Sequence, residues 1–262
     1  FDKDKKIYLI ISITPYTFLS RLILFLFKKK TFVYLRSDGH EEYKAILGFI
    51  GPIIYHLMFR LTTFKSTIIS CQERLFNKNK SHIVFPSELN SSWLKNLKKP
   101  PNDKPKLLYV GRLKIEKGIF SLLKIMNELD NKIKLSIAGK VEKNEFNNNN
   151  INYIGHINNI NSLIETYDNH NIFILPSYTE AHPKVIDESL ARGRPVIIFE
   201  EIKHVVGKKK GVFVSKRNKE DLVKTINYIM KNYSLIQENM MQNQLPTKSQ
   251  FISKITSILI SN

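Results

Sequence analysis

Cysteine is nearly absent. Cys71 is the single one in 262 residues, so no disulfide can close within the chain, and a reducing compartment is the expected setting. One tryptophan, ten glycines and ten prolines are too few for a collagen-like or Pro/Gly-rich low-complexity chain. Acidic residues are scarce too, 23 against 41 Lys+Arg, which leaves a formal net charge of +18. That charge comes without zinc-finger spacing and without an RRM or KH signature. Its basic residues stand beside long apolar runs instead of in Gly- or Ser-rich arms, so no nucleic-acid partner is expected. What is present suits a packed core: 42% of residues are hydrophobic and 24% charged, over a length that fits one large domain or two ordinary ones.

The charge is uneven. Residues 1–100 hold 17 Lys/Arg and 7 Asp/Glu, and the remaining 162 hold 24 and 16. The first part is thus about twice as positive per residue, a face suited to an anionic membrane surface or to phosphorylated ligands. Residues 7–27 form an apolar run whose single charge is Arg21, flanked by Lys5, Lys6 and Lys28, Lys29, Lys30. Its length allows a membrane span, but Pro15 interrupts it and Arg21 would lie within the bilayer. The expectation is a buried strand (7–13) followed by an apolar helix (18–27), attached peripherally to membrane through helix and lysines.

Further strands are expected at 31–35, 67–70 and 82–85, with a helix over 41–61. Lys98, Lys99, Pro100, Pro101, Asn102, Asp103, Lys104 and Pro105 read as a linker. From 106 onward strands and helices alternate regularly: strands at 106–110, 132–138, 151–154, 172–175, 195–199 and 212–214, helices at 117–129, 161–167, 183–192 and 219–232. A polar stretch fills 141–150, and a last amphipathic helix spans 249–260. Such alternation predicts a parallel, doubly wound α/β sheet.

Two segments carry chemistry. The first, Gly111-Arg112-Leu113-Lys114-Ile115-Glu116-Lys117-Gly118, follows a strand and opens a helix. Glycine lets a ligand approach the backbone, the helix start presents N–H groups to an anion, and Arg112 and Lys117 supply charge for phosphate. Its spacing is neither a Walker A loop nor GxGxxG. The second runs from Pro176 through Glu180, Ala181, His182, Pro183 and Lys184 to Asp187 and Glu188, at the carboxyl end of another buried strand. Glu180 and Glu188 can accept hydrogen bonds from vicinal hydroxyls of a sugar. Asp187 and Glu188 could equally serve the helix dipole, and Glu180 could be an exposed loop acid. His182 has no second histidine at ligand spacing, so no metal site is expected. Near the start, Arg36, Ser37, Asp38, Gly39 and His40 follow a strand as a polar turn.

Together the two motifs resemble GT-B glycosyltransferases of the large retaining family 4, the group 1 type, in which a G-R-L-x-x-E-K-G loop precedes E-x7-E. Gly139, Gly155, residues 167–177 and Ala191-Arg192-Gly193-Arg194-Pro195-Val196-Ile197 are similar to the family pattern as well. The match is good over 106–235 and weak over 1–100. It implies two facing Rossmann-like domains with a nucleotide-sugar cleft between them, the first domain incomplete. The divisions are 1–98, a linker at 99–105, a nucleotide-sugar domain at 106–235 and a helical tail at 236–262. Since the chain opens at Phe1 close to an apolar strand, the start of the first domain is expected to be missing, with weak transfer as a consequence.

The resemblance also implies roles. Arg112 and Lys117 would hold the donor diphosphate and steady its departure, Glu180 the donor sugar and Glu188 the ribose. Gly111, Ala181, His182, Pro183, Lys184 and Gly155 would complete the donor site, while Asp38 or His40 would face the acceptor. The family commonly has Gly-Phe where this chain has Ala181-His182, which changes the shape of the sugar pocket. The implied reaction moves a sugar from a nucleoside-diphosphate donor to a hydroxyl acceptor, lipid-linked or polysaccharide. It needs no cofactor and no catalytic metal, and belongs in the cytoplasm or on the inner face of the membrane. The alternatives are a noncatalytic nucleotide-sugar-binding pseudoenzyme and a basic membrane-surface scaffold.

Overall fold

The structure, a computed structural model, describes residues 7–76, 81–101, 104–140 and 149–261. Most of the polar stretch expected at 141–150, and two positions of the expected linker, lie outside them. The chain forms two compact units, one of residues 1–87, 180–182 and 246–262, the other of residues 88–179 and 183–245.

The first unit is built on a parallel sheet whose strands lie in chain order: β1 (Ile7–Ile11), β2 (Lys30–Leu35), β3 (Thr67–Ser70) and β4 (Ser81–Ile83). Phe32, Val33, Tyr34 and Leu35 of β2 are all buried, the continuous apolar run of a strand covered on both faces. One face is covered by α1 (Pro15–Leu26) and α3 (Gly51–Thr63), whose Leu24, Tyr55 and Met58 meet Ile10, Val33 and Ile68. The other is covered by α10 (Lys248–Ser261), whose Ile258 joins Phe32, Tyr34 and Ile69. The helix expected at 249–260 is therefore part of this unit and not a tail, because its apolar stripe has a sheet face to cover.

The apolar run at 7–27 resolves into β1 and α1. Ser12, at φ 60°, ends the strand earlier than expected, and Thr14 with Thr17 forms a capping box ahead of Pro15. Arg21 is turned inward. Its Nη2 donates to the Phe64 carbonyl at 2.7 Å and its Nε to Ser66 Oγ at 3.0 Å.

The single helix expected over 41–61 is instead a hairpin of α2 (Gly39–Leu47) and α3, joined by a 3₁₀ turn at Gly48–Ile50. Gly48 takes φ 63°, open to glycine at little cost, and a Cβ on Gly51 would lie 2.0 Å from the Tyr43 carbonyl oxygen. The rings of His40 and Tyr55 are 4.7 Å apart, whereas fifteen residues of straight helix would separate them by about 22 Å. Residues 39–63 are long and apolar enough to cross a membrane by length and composition alone, but they double back on themselves.

The second unit holds β5 (Lys106–Val110), β6 (Lys134–Ala138), β7 (Ile151–Gly155), β8 (Ile172–Leu175), β9 (Val196–Phe199) and β10 (Val212–Ser215). All pair in parallel, in the order β10-β9-β8-β5-β6-β7. The strands are joined and covered by α5 (Ile119–Asn127), α6 (Ile160–Asp168), α7 (Lys184–Ala191), α8 (Lys219–Lys231) and α9 (Tyr233–Met240). Leu122, Met126, Leu222, Ile226 and Ile229 on one side of their helices complete the core. The chain winds outward from β5 to β7, then returns to β8 on the other side of β5. Such a reversal opens a crevice at the carboxyl ends of the two central strands.

The boundary lies earlier than the expected linker. Residues 88–98 belong to the second unit, where the short helix α4 (Ser91–Leu94) buries Trp93 against Tyr167. Pro101 and Lys104 are also fastened there, through carbonyls that accept from Asn171 Nδ2 at 2.8 and 2.7 Å.

Candidate functional site

β5 and β8 are the strands that flank the reversal, and each expected motif follows one of them. After β5, Gly111 is packed so closely that a Cβ would meet Tyr109 Oη at 2.8 Å, and Tyr109 Oη donates to the Arg112 carbonyl at 2.7 Å. The loop then makes a 3₁₀ turn over Ile115–Lys117 and passes through Gly118 at φ 65° before α5 begins. The helix thus starts two residues later than expected, because the left-handed residue interrupts it. Gly118 has a second reason to be glycine: a Cβ there would stand 1.8 Å from the Pro176 carbonyl oxygen. Arg112 is exposed and Lys117 half-buried on this loop.

After β8, the backbone N–H of Tyr178 donates to the Glu116 carbonyl at 3.0 Å, so the two motif loops are joined directly. Pro183 is the N-cap of α7 rather than its first helical residue, and contributes no side-chain cap. Lys184 lies in the first turn and pairs with Glu88 at 3.1 Å. Glu188, one turn on, is only 9% exposed and accepts a hydrogen bond from Tyr167 Oη at 3.0 Å. Asp187, also buried, lies 3.7 Å from Lys209 Nζ.

Burial pushes the Glu188 carboxyl up from its ordinary range; the Tyr167 hydroxyl and Lys184 pull it down, and Asp187 and Glu88 add to the rise. The folded chain therefore holds this proton more tightly than the unfolded chain. Stability should fall as pH rises from the ordinary carboxylate value through the raised one. Glu188→Gln, which cannot ionise but can still accept from Tyr167, should flatten that fall in urea midpoints measured across the window. Parallel pH profiles for the two proteins would contradict the assignment.

Arg217 was missed by sequence reasoning. It stands two residues after the end of β10 and precedes Asn218, the N-cap of α8. Its Nη1 donates to Ser121 Oγ at 2.8 Å and to the Pro176 carbonyl at 2.9 Å, and its Nε to Glu201 Oε1 at 2.7 Å. The guanidinium is stacked on Tyr178 and Phe199, 4.2 and 4.3 Å from the ring centres. It therefore holds the loop after β8 against α5. The signal for it was its place, a basic residue at the carboxyl end of a strand just before a helix.

Four expected residues are not part of this set. Glu180, Ala181 and His182 group with the first unit, where His182 stacks on Phe85 at 5.2 Å and Gln72 Nε2 donates to the Ala181 carbonyl. Gly155 ends β7, two strands out from β5, and takes φ 85° to turn the chain, its carbonyl accepting from Gly139 N–H at 2.9 Å.

Within the first unit, Asp38 and His40 follow β2 and line a pocket of about 460 Å³ together with Tyr55, His56, Phe59 and Arg74. Asp38 is the N-cap of α2, accepting from Glu41 N–H, and stands 3.9 Å from Arg74 and 4.0 Å from His40. The polar turn is thus both a cap and a pocket wall. His56 and Arg74, distant in sequence, were not expected there.

Comparison with known proteins identifies the family and the fold. Residues 94–245 match the family model described as glycosyl transferases group 1. An uncharacterised glycosyltransferase of Haemophilus influenzae is 28% identical over 162 residues, 57% of this chain and 46% of that protein, so the match spans about half the relative's length. Sucrose-phosphate synthase from Thermosynechococcus elongatus is similar with a TM-score of 0.72 at 16% identity, covering 98% of this chain and 73% of that one. HepE of Anabaena, solved in complex with UDP, gives 0.75 at 13% identity, covering 97% and 79%. At such identities the likeness shows the fold, which is the expected α/β class of the GT-B glycosyltransferases with parallel sheets. Because the family model covers more than half of its residues, the chain belongs to the glycosyl transferases group 1 family.

Proposed function

We propose that this chain transfers a sugar, with retention, from a nucleoside-diphosphate donor to a hydroxyl acceptor in the synthesis of a cell-surface polysaccharide or glycolipid. One observation carries the reading: both motif loops emerge at the strand reversal of a doubly wound sheet, where open α/β folds bind ligands, and are hydrogen-bonded to each other there. Arg112 and Lys117 are assigned to the diphosphate, with Gly111 allowing close backbone approach. Glu188 accepts from the ribose hydroxyls, and Pro183 and Lys184 shape the wall beside it. Glu180 is assigned to the hydroxyls of the donor sugar, with Ala181 and His182 next to it. Asp38 and His40 are assigned to the acceptor.

In the reaction the bond from the anomeric carbon to the diphosphate oxygen breaks, a bond to the acceptor oxygen forms, and the hydroxyl proton is released. Negative charge grows on the departing diphosphate, and Arg112 and Lys117 stabilise it where it grows. That supply of positive charge supports a metal-independent step. The related HepE has been solved with UDP-glucose, which places UDP-sugars first among donors to try. A thermal-shift screen over UDP-, GDP- and ADP-sugars should show one class raising the unfolding temperature, since a ligand bound to the folded state stabilises it by mass action. The same donor should then release nucleoside diphosphate when acceptor is added, and Glu180→Gln should slow release while sparing nucleotide affinity. Stabilisation without release in the presence of diverse acceptors would leave a donor-binding module and sink the transfer reaction.

A further inference from the structure

The outward side of the helical layer on the first unit is apolar where a water-facing surface would be polar. On α1, Tyr16, Leu19, Ile23 and Leu26 recur at three- and four-residue spacing, opposite the buried Arg21 and Leu24. Tyr16 and Leu26 are 83% and 78% exposed. On α3, Ile53 and Leu57 lie one turn apart and exposed, opposite the buried Tyr55 and Met58. The two helices lie side by side on one sheet face: their inward residues share a single core, and the rings of Phe25 and Phe64 are 6.1 Å apart.

The turn between α2 and α3 extends this surface. Ile46 and Phe49 are 74% and 82% exposed, and no Lys, Arg, Asp or Glu occurs from residue 45 to residue 59. Exposed apolar side chains gathered on adjoining elements in this way mark an interaction site. Its borders are basic. Lys28 follows α1, Lys44 precedes the turn, Arg60 and Lys65 follow the stripe on α3, and all four are exposed. Between residues 7 and 70, eight Lys/Arg stand against three Asp/Glu.

We propose that this face docks peripherally on an anionic lipid bilayer, with Phe49 at the hairpin turn entering the acyl boundary and the basic border meeting the headgroups. A paired helix face with an apolar centre and a mainly basic rim is what an anionic interface accommodates. A second copy of the chain is the weaker occupant, because a two-fold contact would bring the same positive borders together. A spanning segment is disfavoured by the hairpin and by the inward hydrogen bonds of Arg21. The docking is independent of the transfer reaction, and its test needs no turnover.

The test is flotation of the full chain with vesicles of phosphatidylcholine alone and of phosphatidylcholine mixed with phosphatidylglycerol. Binding is expected only to the mixed vesicles, falling about tenfold or more between low and high salt as screening removes the headgroup attraction. Phe49→Asp should lower binding at low salt by about tenfold or more. Lys28→Glu with Lys65→Glu should do the same, and both changes lie at exposed positions outside the core, with unfolding temperature as the control. Absence of flotation with anionic vesicles would overturn the proposal, as would Phe49→Asp and the lysine pair both binding like the parent. Binding that resists high salt and alkaline carbonate would overturn it in favour of an integral segment. Self-association that Phe49→Asp abolishes, without vesicle binding, would overturn it in favour of a second copy.

Discussion

Asp168→Ala is expected to destabilise the second unit by about 3–5 kcal/mol, the cost of removing one partner from a buried ion pair. Asp168 accepts from Arg192 Nε at 2.9 Å and Nη2 at 2.8 Å, and Arg194 Nη2 lies 3.6 Å away. All three side chains are almost wholly buried. Without the carboxylate, two guanidinium groups would remain charged in the interior. Both also donate to main-chain carbonyls: Arg192 to Trp93, Lys95 and Asn96, and Arg194 to Lys98. The variant should therefore loosen residues 93–98 as well, and proteolysis should begin there. Denaturant unfolding checks the magnitude. A loss below about 1 kcal/mol, the size typical of exposed ion pairs, would show that water reaches the cluster.

How far the sequence discloses such features depends on their range. β5 and β8 are legible because each is a short buried apolar run followed by glycine or proline, β9 because Pro195 opens such a run, and α5 and α8 because their apolar residues repeat at helical spacing. The motif loops after β5 and β8 are legible for the same reason: their placement needs only the strand before and the helix after. The hairpin at Gly48 is not, since the apolar period runs through residues 41–61 without a charge to mark the break. Arg192 and Arg194 read as part of a family-like segment, but their work of fastening residues 93–98 depends on contacts almost a hundred residues away. Arg217 is hidden likewise, because its partners Ser121, Pro176 and Glu201 come from α5, the loop after β8 and the 3₁₀ turn after β9. The same holds for Glu180, within the second motif in sequence yet grouped with the first unit by its contacts.

Arg112→Ala and Lys117→Ala should each weaken nucleoside diphosphate binding by about 1.5–3 kcal/mol, the range for a hydrogen bond to a charged group. That corresponds to roughly a 10- to 100-fold loss in affinity. Neither side chain supports the core, Arg112 being exposed and Lys117 half-buried on a 3₁₀ turn, so both variants should unfold near the parent's midpoint. Lys114→Ala, an exposed lysine in the same loop, is the control for general loss of positive charge. An equal loss in all three would point to diffuse electrostatics, and unchanged affinity in the Arg112 and Lys117 variants would remove the phosphate site from this loop.

The central claim is that the strand reversal between β5 and β8 holds the donor, and amide hydrogen exchange with and without the stabilising nucleotide sugar tests it most directly. Ligand contact at backbone N–H groups slows their exchange locally, while the rest of the unit responds only through global stability. The account predicts new protection concentrated in residues 111–118 and 183–188. Protection confined to other loops, such as that following β7 at Gly155, would contradict it.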